Sequence, residues 1–557
     1  MSHSETIYHR NMLALSSRCP VLSARLPNID IPHYAEMVNS KTGIPVPAIR
    51  YDQKQIALHS RYNPEGEANR YAAIYPHSGF LVFLGFGAGY HIEPFLNGPA
   101  DSHILIIEPD IELFKFVMQK VDRRKLLMDK RVSFLVGVSV EEVHTYLMNN
   151  YIPAITGNLQ TIGLQPKMQI NKQYFTDCIE TIRSVIGKLA DDYTVQAYFG
   201  KKWFLNTLFN MKKAASTTTT LPHVRKALVA GAGPSLEMQM DYLKNMKETA
   251  TLISTDTALP SLLAHGVRPD IVISIDCQHV TYHHFLRGYP EGVPLVLDLA
   301  SPVQLTRMAD NLVFFSSGHP FSKYVSSRWR RFPYIDTSGG NVSHAAISLA
   351  EKLGAREIYL FGTDFSYPEG KTYARGTYIY HYFRSKAYKT TPIESLFCDF
   401  LFKNRNMQKY PMETGFLYTT KPMISYKQRL EEAVRHMRPR VVPVDGKGLK
   451  LNLKHEDSID SDEKVYQFFS AGSVQSSWQE FITSYRSALL SMKEPYTPVA
   501  AYLEGLPPSE RDLWTTMYPI AAAMRREREE DSFQAAELLS TVRQWTVKMA
   551  KEAEKKD

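Results

Sequence analysis

The stretch GAGPS at residues 231–235 combines residue types that suit the binding of a phosphate. It follows the apolar run KALVA, which predicts a buried strand, and precedes apolar positions spaced by three and four, which predict a helix. Gly231 and Gly233 permit a tight turn and the close approach of a ligand. Because amides at a helix start attract anions, we expect Gly231, Gly233 and Ser235 to contact a nucleotide. A purely structural turn is the alternative, since neither a third glycine nor a Walker lysine follows.

A second glycine turn, TSGG at 337–340, precedes a helix predicted over 341–353. Its hydroxyls and closely spaced amides, with Ser338 and Gly339 at its centre, form a second candidate anion site.

Three carboxylates follow predicted buried strands directly: Asp256, Asp276 and Asp364 come shortly after TLIST, DIVISI and REIYLF. Ligands of open α/β folds bind at the carboxyl edge of the sheet, so these side chains suit hydrogen bonding to a ribose or a base. Aspartates at such positions equally cap helices, and both interpretations stay open.

The polar and aromatic stretch SYPEGKTYARGTYIYHYF at 366–383 predicts a loop above the same edge. Tyr367 and Tyr373 offer phenol donors for a departing phosphate, and Lys371 and Arg375 offer cations for a substrate carboxylate. His381 stands near the end of this stretch. An ordinary surface loop is the alternative.

The elements that would position these residues form an alternating pattern. After the polar run ASTTTTLPH at 215–223, six short apolar strands alternate with helical segments: KALVAG, TLISTD, DIVISID, PLVLDLA, LVFFSS and REIYLFGTD. Buried strands of this length, separated by helices, predict a parallel sheet covered on both faces. We therefore predict an α/β fold in which a central Rossmann-like parallel sheet has helices on both faces.

The flanking segments have their own patterns. Strands are predicted within 80–89 and 102–110, a helix near 111–125 and a long helix over 171–213, which indicates a smaller N-terminal α/β domain. From about 452 apolar residues recur at helical spacing in EKVYQFFSAG, SSWQEFITSYRSALLSM, TMYPIAAAMRRERE and FQAAELLSTVRQWTVKMA. The predicted domains are 1–214, 215–450 and a helical C-terminal domain at 451–557.

The composition sets limits on the class of protein. With 44% hydrophobic and 22% charged residues the 557-residue chain is typical of a globular protein of more than one domain. A net charge of +8 does not call for a nucleic-acid partner. No apolar stretch long enough to span a membrane occurs, and four scattered cysteines without a CxxC pair favour a reduced, cytoplasmic setting.

The motifs together carry a resemblance. GAGPSL, STDTAL, the SID strand end and SGGNVSHAAISLAEKLGAREIYLFGTDFSYPEGKTYARG resemble the motility-associated factor (Maf) proteins, which are bacterial flagellin glycosyltransferases. The same stretches are similar to the cytidine-nucleotide site of bacterial sialyltransferases. The three-part layout matches Maf proteins along the whole chain. Ala232, Asp256 and Asp276 stand where the sialyltransferases have asparagines, and the spacing before Tyr373 differs by one residue.

The resemblance implies transfer of a nonulosonic acid, of the pseudaminic or legionaminic type, from its CMP conjugate to serine or threonine hydroxyls of flagellin. It implies no required cofactor beyond the CMP-sugar donor, no dedicated metal site, and leaves a use of Mg²⁺ open. Gly231, Gly233, Ser235, Asp256, Asp276, Ser338, Gly339 and Asp364 would bind the donor, and Tyr367 and Tyr373 would assist the departing phosphate. We choose His381 as the general base over His344, which the helical pattern assigns to capping or the core.

Three other functions remain open. Archaeal hydroxymethyl-dihydropterin pyrophosphokinases look similar over the central block, and in such an enzyme Asp256, Asp276 and Asp364 would hold Mg²⁺. GFGAG at 85–89 with Glu108 resembles the S-adenosylmethionine site of methyltransferases. A flagellin-binding module with a vestigial nucleotide site is the third alternative. The sequence predicts no oligomeric state.

Overall fold

The computed structural model describes residues 3–403, 406–412, 415–454, 471–528 and 534–555. Residues 463–470 of the predicted helical segment EKVYQFFSAG lie outside this described part. The chain forms two compact units, one from residues 1–200 with 489–547 and the other from 201–488 with 548–557. The division at 214 and 450 drawn from the sequence stays a prediction.

The first unit contains two sheets. Strands β1 (Ala35–Asn39), β2 (Pro45–Tyr51) and β3 (Lys54–Ala57) form an antiparallel sheet. Strands β4 (Phe80–Leu84), β5 (His103–Glu108), β6 (Val132–Val136) and β7 (Leu159–Gly163) form a parallel sheet in the order β6-β5-β4-β7. Its helices are His3–Arg18, Pro20–Arg25, Pro64–Ile74, Ile111–Lys120, Arg124–Met128, Val140–Asn150, Pro153–Thr156, Gln165–Ile170, Val499–Glu504 and Pro508–Arg528. The predicted N-terminal α/β pattern is confirmed.

The second unit is built on a seven-stranded parallel sheet. Its strands are β8 (Lys226–Ala230), β9 (Thr251–Thr255), β10 (Ile271–Ser274), β11 (Leu295–Asp298), β12 (Leu312–Phe315), β13 (Glu357–Phe361) and β17 (Arg440–Pro443), in the order β12-β11-β10-β9-β8-β13-β17. All neighbouring pairs are parallel. The six strands predicted from the sequence are confirmed, and β17 is a seventh that the short run RVVP did not reveal.

Helices cover both faces of this sheet, as the alternation of apolar strand residues requires. Val229, Ile253 and Ile273 point to one face and pack with the helix Val342–Lys352. Leu228, Ala230 and Leu252 point to the other and pack with the helices Met240–Lys247 and Leu259–Ala264. Further helices of this unit are Pro320–Arg328, Lys421–Arg435 and Trp478–Ser491.

The region after β13 differs from the predicted loop. A small antiparallel sheet orders β14 (Tyr367–Pro368), β16 (Phe416–Thr419) and β15 (Gln408–Pro411), with β16 in the middle. Helices span Tyr378–Lys386 and Ile393–Phe402. The last third of the stretch 366–383 is therefore helical, because Ile379 and Phe383 form an apolar face that packs on Phe397.

The predicted helical C-terminal region is confirmed over the helices Trp478–Ser491, Val499–Glu504, Pro508–Arg528 and Ala535–Lys555. The long predicted helix before the linker spans Lys172–Ser216. None of the helices in the described ranges has the length and apolar character needed to cross a membrane.

Candidate functional site

The candidate site lies where the direction of strand addition reverses. From β8 the chain continues through β9 to β12 on one side, and β13 returns to pair with β8 on the other. The loops after these two strands are joined, since the Gly231 amide donates to the Phe361 carbonyl at 2.8 Å and the Gly233 amide to the Gly362 carbonyl at 2.9 Å. Open α/β sheets bind ligands outside the carboxyl ends of the strands at such a reversal.

The glycine turn after β8 is occupied by a carboxylate of the chain itself. Asp364 is buried; one of its oxygens accepts the Ser235 amide at 3.1 Å and the other accepts the Ser235 hydroxyl. A Cβ on Gly233 would lie 2.0 Å from that carboxylate, so glycine is needed there for close packing. Burial raises the pKa of Asp364, and its bonds to Ser235 partly oppose that shift.

The element following this turn corrects one prediction. Pro234–Leu236 is a single 3₁₀ turn, and the α-helix begins only at Met240. The predicted helix does not start directly after Gly233, and the contact of Gly231, Gly233 and Ser235 with a nucleotide stays a prediction. Ser235 and Asp364 instead bind each other.

The second glycine turn precedes an α-helix on the opposite face of the sheet. Gly340 has φ +83°, and the Asn341 side chain caps the helix by accepting the His344 amide at 3.0 Å. Ser338 is exposed, donates its amide to Asp336 at 2.9 Å and accepts Arg429 at 3.1 Å on its carbonyl. Gly339 packs against the His344 ring. Ser343, in the first helical turn, is the hydroxyl that faces Gly231, at 3.2 Å from a Cβ built there.

The loop between β13 and the helix Tyr378–Lys386 is held against the first turn. The Ala374 amide donates to the Ala232 carbonyl at 2.9 Å, which places the neighbouring Tyr373 beside the Gly231–Gly233 turn. Glu237 binds the same loop: it accepts the Lys371 ammonium at 2.6 Å and the Arg375 amide at 2.5 Å. The Lys371 charge is thus paired within the chain.

The tyrosines of this loop are half-buried phenols. Burial raises the pKa of Tyr367, and it raises the pKa of Tyr373 to about 12 with a smaller contribution from Tyr367 and Tyr378. Both side chains therefore keep their hydroxyl hydrogens at neutral pH and can donate hydrogen bonds. The Thr372 hydroxyl between them is buried, with no partner among the described residues.

The strand-end aspartates join a histidine that the sequence did not single out. Asp256 is buried and accepts the Ser274 hydroxyl at 2.6 Å and, on its other oxygen, the Thr257 hydroxyl at 3.0 Å. Thr257 contacts His284 Nε2 at 3.5 Å. Burial raises the pKa of Asp276, with Asp256 adding to the effect. Burial lowers the pKa of His284, and the two aspartates oppose that shift.

The hydrogen bonds around His284 favour one tautomer. Thr257 donates its one hydroxyl hydrogen to Asp256, so its 3.5 Å contact with His284 Nε2 is a hydrogen bond only when Nε2 carries the hydrogen and the lone pair lies on Nδ1. His284 Nδ1 is buried and has no partner in the described part of the chain. The ring meets Tyr378 edge-on at 4.7 Å, and Tyr378 in turn lies near Tyr373.

His381 lies in a helix, and its environment is less suited to accepting a proton. Arg287 contacts its Nδ1 at 2.6 Å. Because a guanidinium only donates, Nδ1 carries the lone pair and Nε2 the hydrogen. Burial lowers the pKa of His381, and Arg287 lowers it further. Its lone pair is therefore already bound.

The first unit contains the glycine turn at 85–89 that resembles an S-adenosylmethionine site. Side chains of the chain itself pack against this turn. Glu108 is buried, accepts the Phe86 amide at 2.9 Å and pairs with the buried Lys167 at 2.8 Å. A Cβ on Gly85 would lie 2.7 Å from Lys167, and one on Gly87 would lie 2.6 Å from His59. These glycines serve packing of side chains against the turn.

Within the described ranges, no set of three or more histidine, cysteine, aspartate or glutamate side chains is placed to hold a metal ion.

Residues 202–370, which contain most of this site, match the family of MptE-like proteins, described as 6-hydroxymethylpterin diphosphokinase MptE-like. The 6-hydroxymethyl-7,8-dihydropterin pyrophosphokinase of Methanothermobacter thermautotrophicus is 28% identical over 141 residues, which are 25% of this chain and 56% of that protein.

Two uncharacterized proteins of Treponema pallidum are also similar. One is 35% identical over 160 residues, 28% of this chain and 56% of that relative, so the match spans little more than half of it. The other is 31% identical over 170 residues, 29% of this chain and 79% of the relative. The chain belongs to the same family as this second protein.

The Maf glycosyltransferase of Magnetospirillum magneticum AMB-1 superposes with a TM-score of 0.57 over 99% of this chain and 96% of that one, at 15% identity. The chain has the Maf glycosyltransferase fold. The expectation of a Maf-like architecture is thereby confirmed. Within this fold, five residues of the candidate site lie along the sheet edge next to the reversal between β8 and β13: Gly231, Ser343, Tyr373, Asp256 and His284.

Proposed function

We propose that this chain is a glycosyltransferase that moves a nonulosonic acid, of the pseudaminic or legionaminic type, from its CMP conjugate to serine or threonine hydroxyls of flagellin. The observation that carries the proposal is the Maf fold along nearly the whole chain, combined with a tyrosine loop bonded to the glycine turn at the strand reversal. The proposed active site lies in the second unit, which contains all of the residues discussed below.

In the proposed reaction the acceptor hydroxyl oxygen bonds to the anomeric carbon while the bond from that carbon to the CMP phosphate oxygen breaks. The configuration inverts, CMP leaves with the bonding electron pair, and the acceptor proton passes to a base. Negative charge grows on the departing phosphate, where donors already in place stabilise it most. Tyr367 and Tyr373 fit this role because burial keeps both phenols protonated.

The donor nucleotide is proposed to lie along the edge from Gly231 to Asp276. Gly231, Gly233, Ser338, Gly339 and Ser343 border the phosphate end, and Ser343 joins this set because it faces Gly231. Asp256 and Asp276 border the ribose or base. Ser235 and Asp364 act by holding the turn in shape, since their polar atoms bind each other.

The carboxylate of the sugar is proposed to form an ion pair with Arg375, which is exposed on the loop. Lys371 can serve only by leaving Glu237, with which it is paired at 2.6 Å. A carboxylate ligand would compete with Glu237 for the same ammonium.

Two histidines are proposed as alternatives for the general base. His381 was selected from the sequence, and it would have to release Arg287 to accept a proton. His284 Nδ1 has no partner among the described residues, and the His284 ring contacts Thr257, which hydrogen bonds to Asp256. We therefore favour His284.

The alternative with specific support is a pterin-type pyrophosphokinase, because residues 202–370 match the MptE-like family. In that reaction Mg²⁺ would neutralise charge on the transferred group, and Asp256 with Asp276 would supply oxygen ligands. Their carboxylates are close enough that the charge of Asp256 raises the pKa of Asp276, an arrangement that a divalent cation would stabilise.

Calorimetric titration with CMP and with ATP plus Mg²⁺ separates the two. The glycosyltransferase proposal expects binding of CMP and release of CMP from a CMP-nonulosonic acid when flagellin is added. Binding of ATP with Mg²⁺ and no response to CMP would establish the kinase instead. Mass spectrometry of flagellin incubated with donor and enzyme then identifies the transferred mass.

A further inference from the structure

A large cavity opens beside the candidate site in the second unit. Its volume is about 1000 Å³, and its walls come from the 3₁₀ helix His279–Phe285 and the helices Tyr378–Lys386 and Ile393–Phe402. Tyr378 lines this cavity and also touches His284. Tyr378 therefore lies between the cavity and His284, the proposed general base.

The walls are mostly apolar, and several of their side chains are exposed. Leu286 is 58% exposed, Phe402 53% and Tyr382 50%. Concave apolar surfaces that remain exposed mark binding sites for other molecules. The volume is at the upper end of the roughly 300 to 1,000 Å³ typical of small-ligand pockets, and a saccharide would need more polar walls than these.

The charged groups of the lining are unequal. Arg287, Lys386 and Lys403 face the cavity with one carboxylate, Asp399. An occupant that carries a carboxylate next to apolar side chains would complement both properties.

The surroundings favour an extended chain. Phe402, on the cavity wall, meets Tyr418 of β16 at 5.3 Å, and β16 pairs with β15, which is an edge strand. Edge strands accept extended peptides through backbone hydrogen bonds, while pockets beside them take alternate side chains.

We propose that this cavity binds an extended segment of the acceptor polypeptide that carries apolar or aromatic side chains and a carboxylate close to the hydroxyl to be modified. The inference rests on the proposed transferase function and names its acceptor subsite. Binding there would bring the acceptor hydroxyl toward Tyr378 and His284.

The test uses the full chain and the fluorophore 1-anilinonaphthalene-8-sulfonate, whose apolar rings and single anion match the lining. Competitors are a nine-residue peptide with Phe, Asp and a central Ser, and the same peptide with Asp replaced by Lys. The double variant Lys386→Glu with Lys403→Glu reverses the lining charge. Val280→Trp narrows the opening at a residue that is already 42% exposed. Lys352→Glu with Lys389→Glu is the matched control, since both lysines are exposed and neither lines the cavity.

We expect the Asp peptide to displace the dye about tenfold more effectively than the Lys peptide, as several weak ion pairs would give together. Both lining variants should weaken the dye and the Asp peptide about tenfold, and the control should match the wild type. Circular dichroism identifies any variant that fails to fold, and the other lining variant then decides.

Equal binding by wild type, control and lining variants would overturn the proposal. Displacement by CMP would overturn it as well, because the cavity would then belong to the donor. Displacement by a polyprenyl phosphate but not by either peptide would replace the polypeptide with a lipid-linked acceptor. These measurements need no donor, so they stand apart from the proposed function, which fails separately if flagellin elicits no CMP release.

Discussion

The two glycine turns of this chain look alike in sequence and differ in use. Each follows a buried parallel strand and contacts a buried carboxylate, Glu108 at Gly85–Gly89 and Asp364 at Gly231–Gly233. At the first turn, Lys167 neutralises the carboxylate and its side chain packs against Gly85. At the second, Asp364 binds a serine hydroxyl and amide, and the polar groups nearby converge on the edge of the sheet.

A glycine turn after a strand lets another group come close to the backbone. The turn alone does not tell whether that group is a side chain of the protein or a ligand, so the surrounding residues must be compared. In the first unit the approaching groups are Lys167 and His59 of the same chain. In the second unit Asp364 of the same chain approaches the turn, and a tyrosine loop, a large cavity and a histidine whose Nδ1 has no partner among the described residues lie nearby. We therefore interpret the turn at Gly85–Gly89 as a packing feature and propose the neighbourhood of Gly231–Gly233 as the ligand site.

Loss of the proposed base should have the largest effect. His284→Ala should lower kcat/KM for sugar transfer about 100-fold to 10,000-fold, as removal of a general base does. The neutral ring is the active form, and burial lowers its pKa below the usual 6.5, so wild-type activity should persist at pH 6.5 and fall at lower pH. Rates from pH 5 to 8 check this.

His279→Ala is the matched control, because His279 is exposed on the same 3₁₀ segment. Should His381→Ala remove activity and the acid limb while His284→Ala keeps both, the base would be His381 and the assignment to His284 would be wrong.

Breaking the ion pair of the first turn should destabilise the chain without affecting donor binding. Glu108→Gln leaves the buried Lys167 charge with only the more distant Asp110 carboxylate, at 4.0 Å, at a cost of about 3 kcal/mol, or on the order of 10 °C in the melting temperature of the unit. Thermal unfolding followed by circular dichroism measures this. Glu108→Gln with Lys167→Met should regain most of the loss.

A different result would reverse the comparison. If Glu108→Gln leaves the melting temperature unchanged, and the wild type binds S-adenosylmethionine at micromolar concentrations, the first turn is a ligand site.

Removal of one phenol should sharpen the assignment of the second turn. Tyr373→Phe deletes the hydroxyl that we propose donates to the departing phosphate, and kcat should fall about 100-fold to 1,000-fold. CMP release under saturating donor measures this, and Tyr359→Phe on strand β13 serves as control. Turnover within twofold of the wild type would remove Tyr373 from the site.

Replacing Ser338 or Ser343, which lie in and after the glycine turn at 337–340, should affect CMP binding by a smaller and unequal amount. Ser343→Ala should weaken CMP binding by about tenfold or less, the value of one hydrogen bond, because Ser343 faces Gly231. Ser338→Ala should have the lesser effect, since Ser338 is exposed beside Asp336 and Arg429. Calorimetry measures both affinities, and the reverse order would make Ser338 the main serine contact of CMP, as the resemblance implies.

The periodicity of apolar residues in the sequence predicts the strands of the central sheet, but it does not predict which residues come together at the candidate site. The strands β8 to β13 are short and mostly apolar, so their burial can be predicted from local sequence. The sequence predicts a loop where the helix Tyr378–Lys386 forms, because the apolar face of that helix is only Ile379 and Phe383 and is completed by Phe397 from another helix. His284 lies eight residues after Asp276, in a run of histidines whose partners come from Thr257 and Tyr378 elsewhere in the chain. Such contacts depend on tertiary packing and leave no spacing to detect.

Hydrogen–deuterium exchange of the full chain with and without CMP tests the central claim most directly. The account predicts slower exchange in peptides covering 231–235 and 366–378 when CMP is added, and no change at 85–89. Protection at 85–89, or none at 231–235 and 366–378 under saturating CMP, would contradict it.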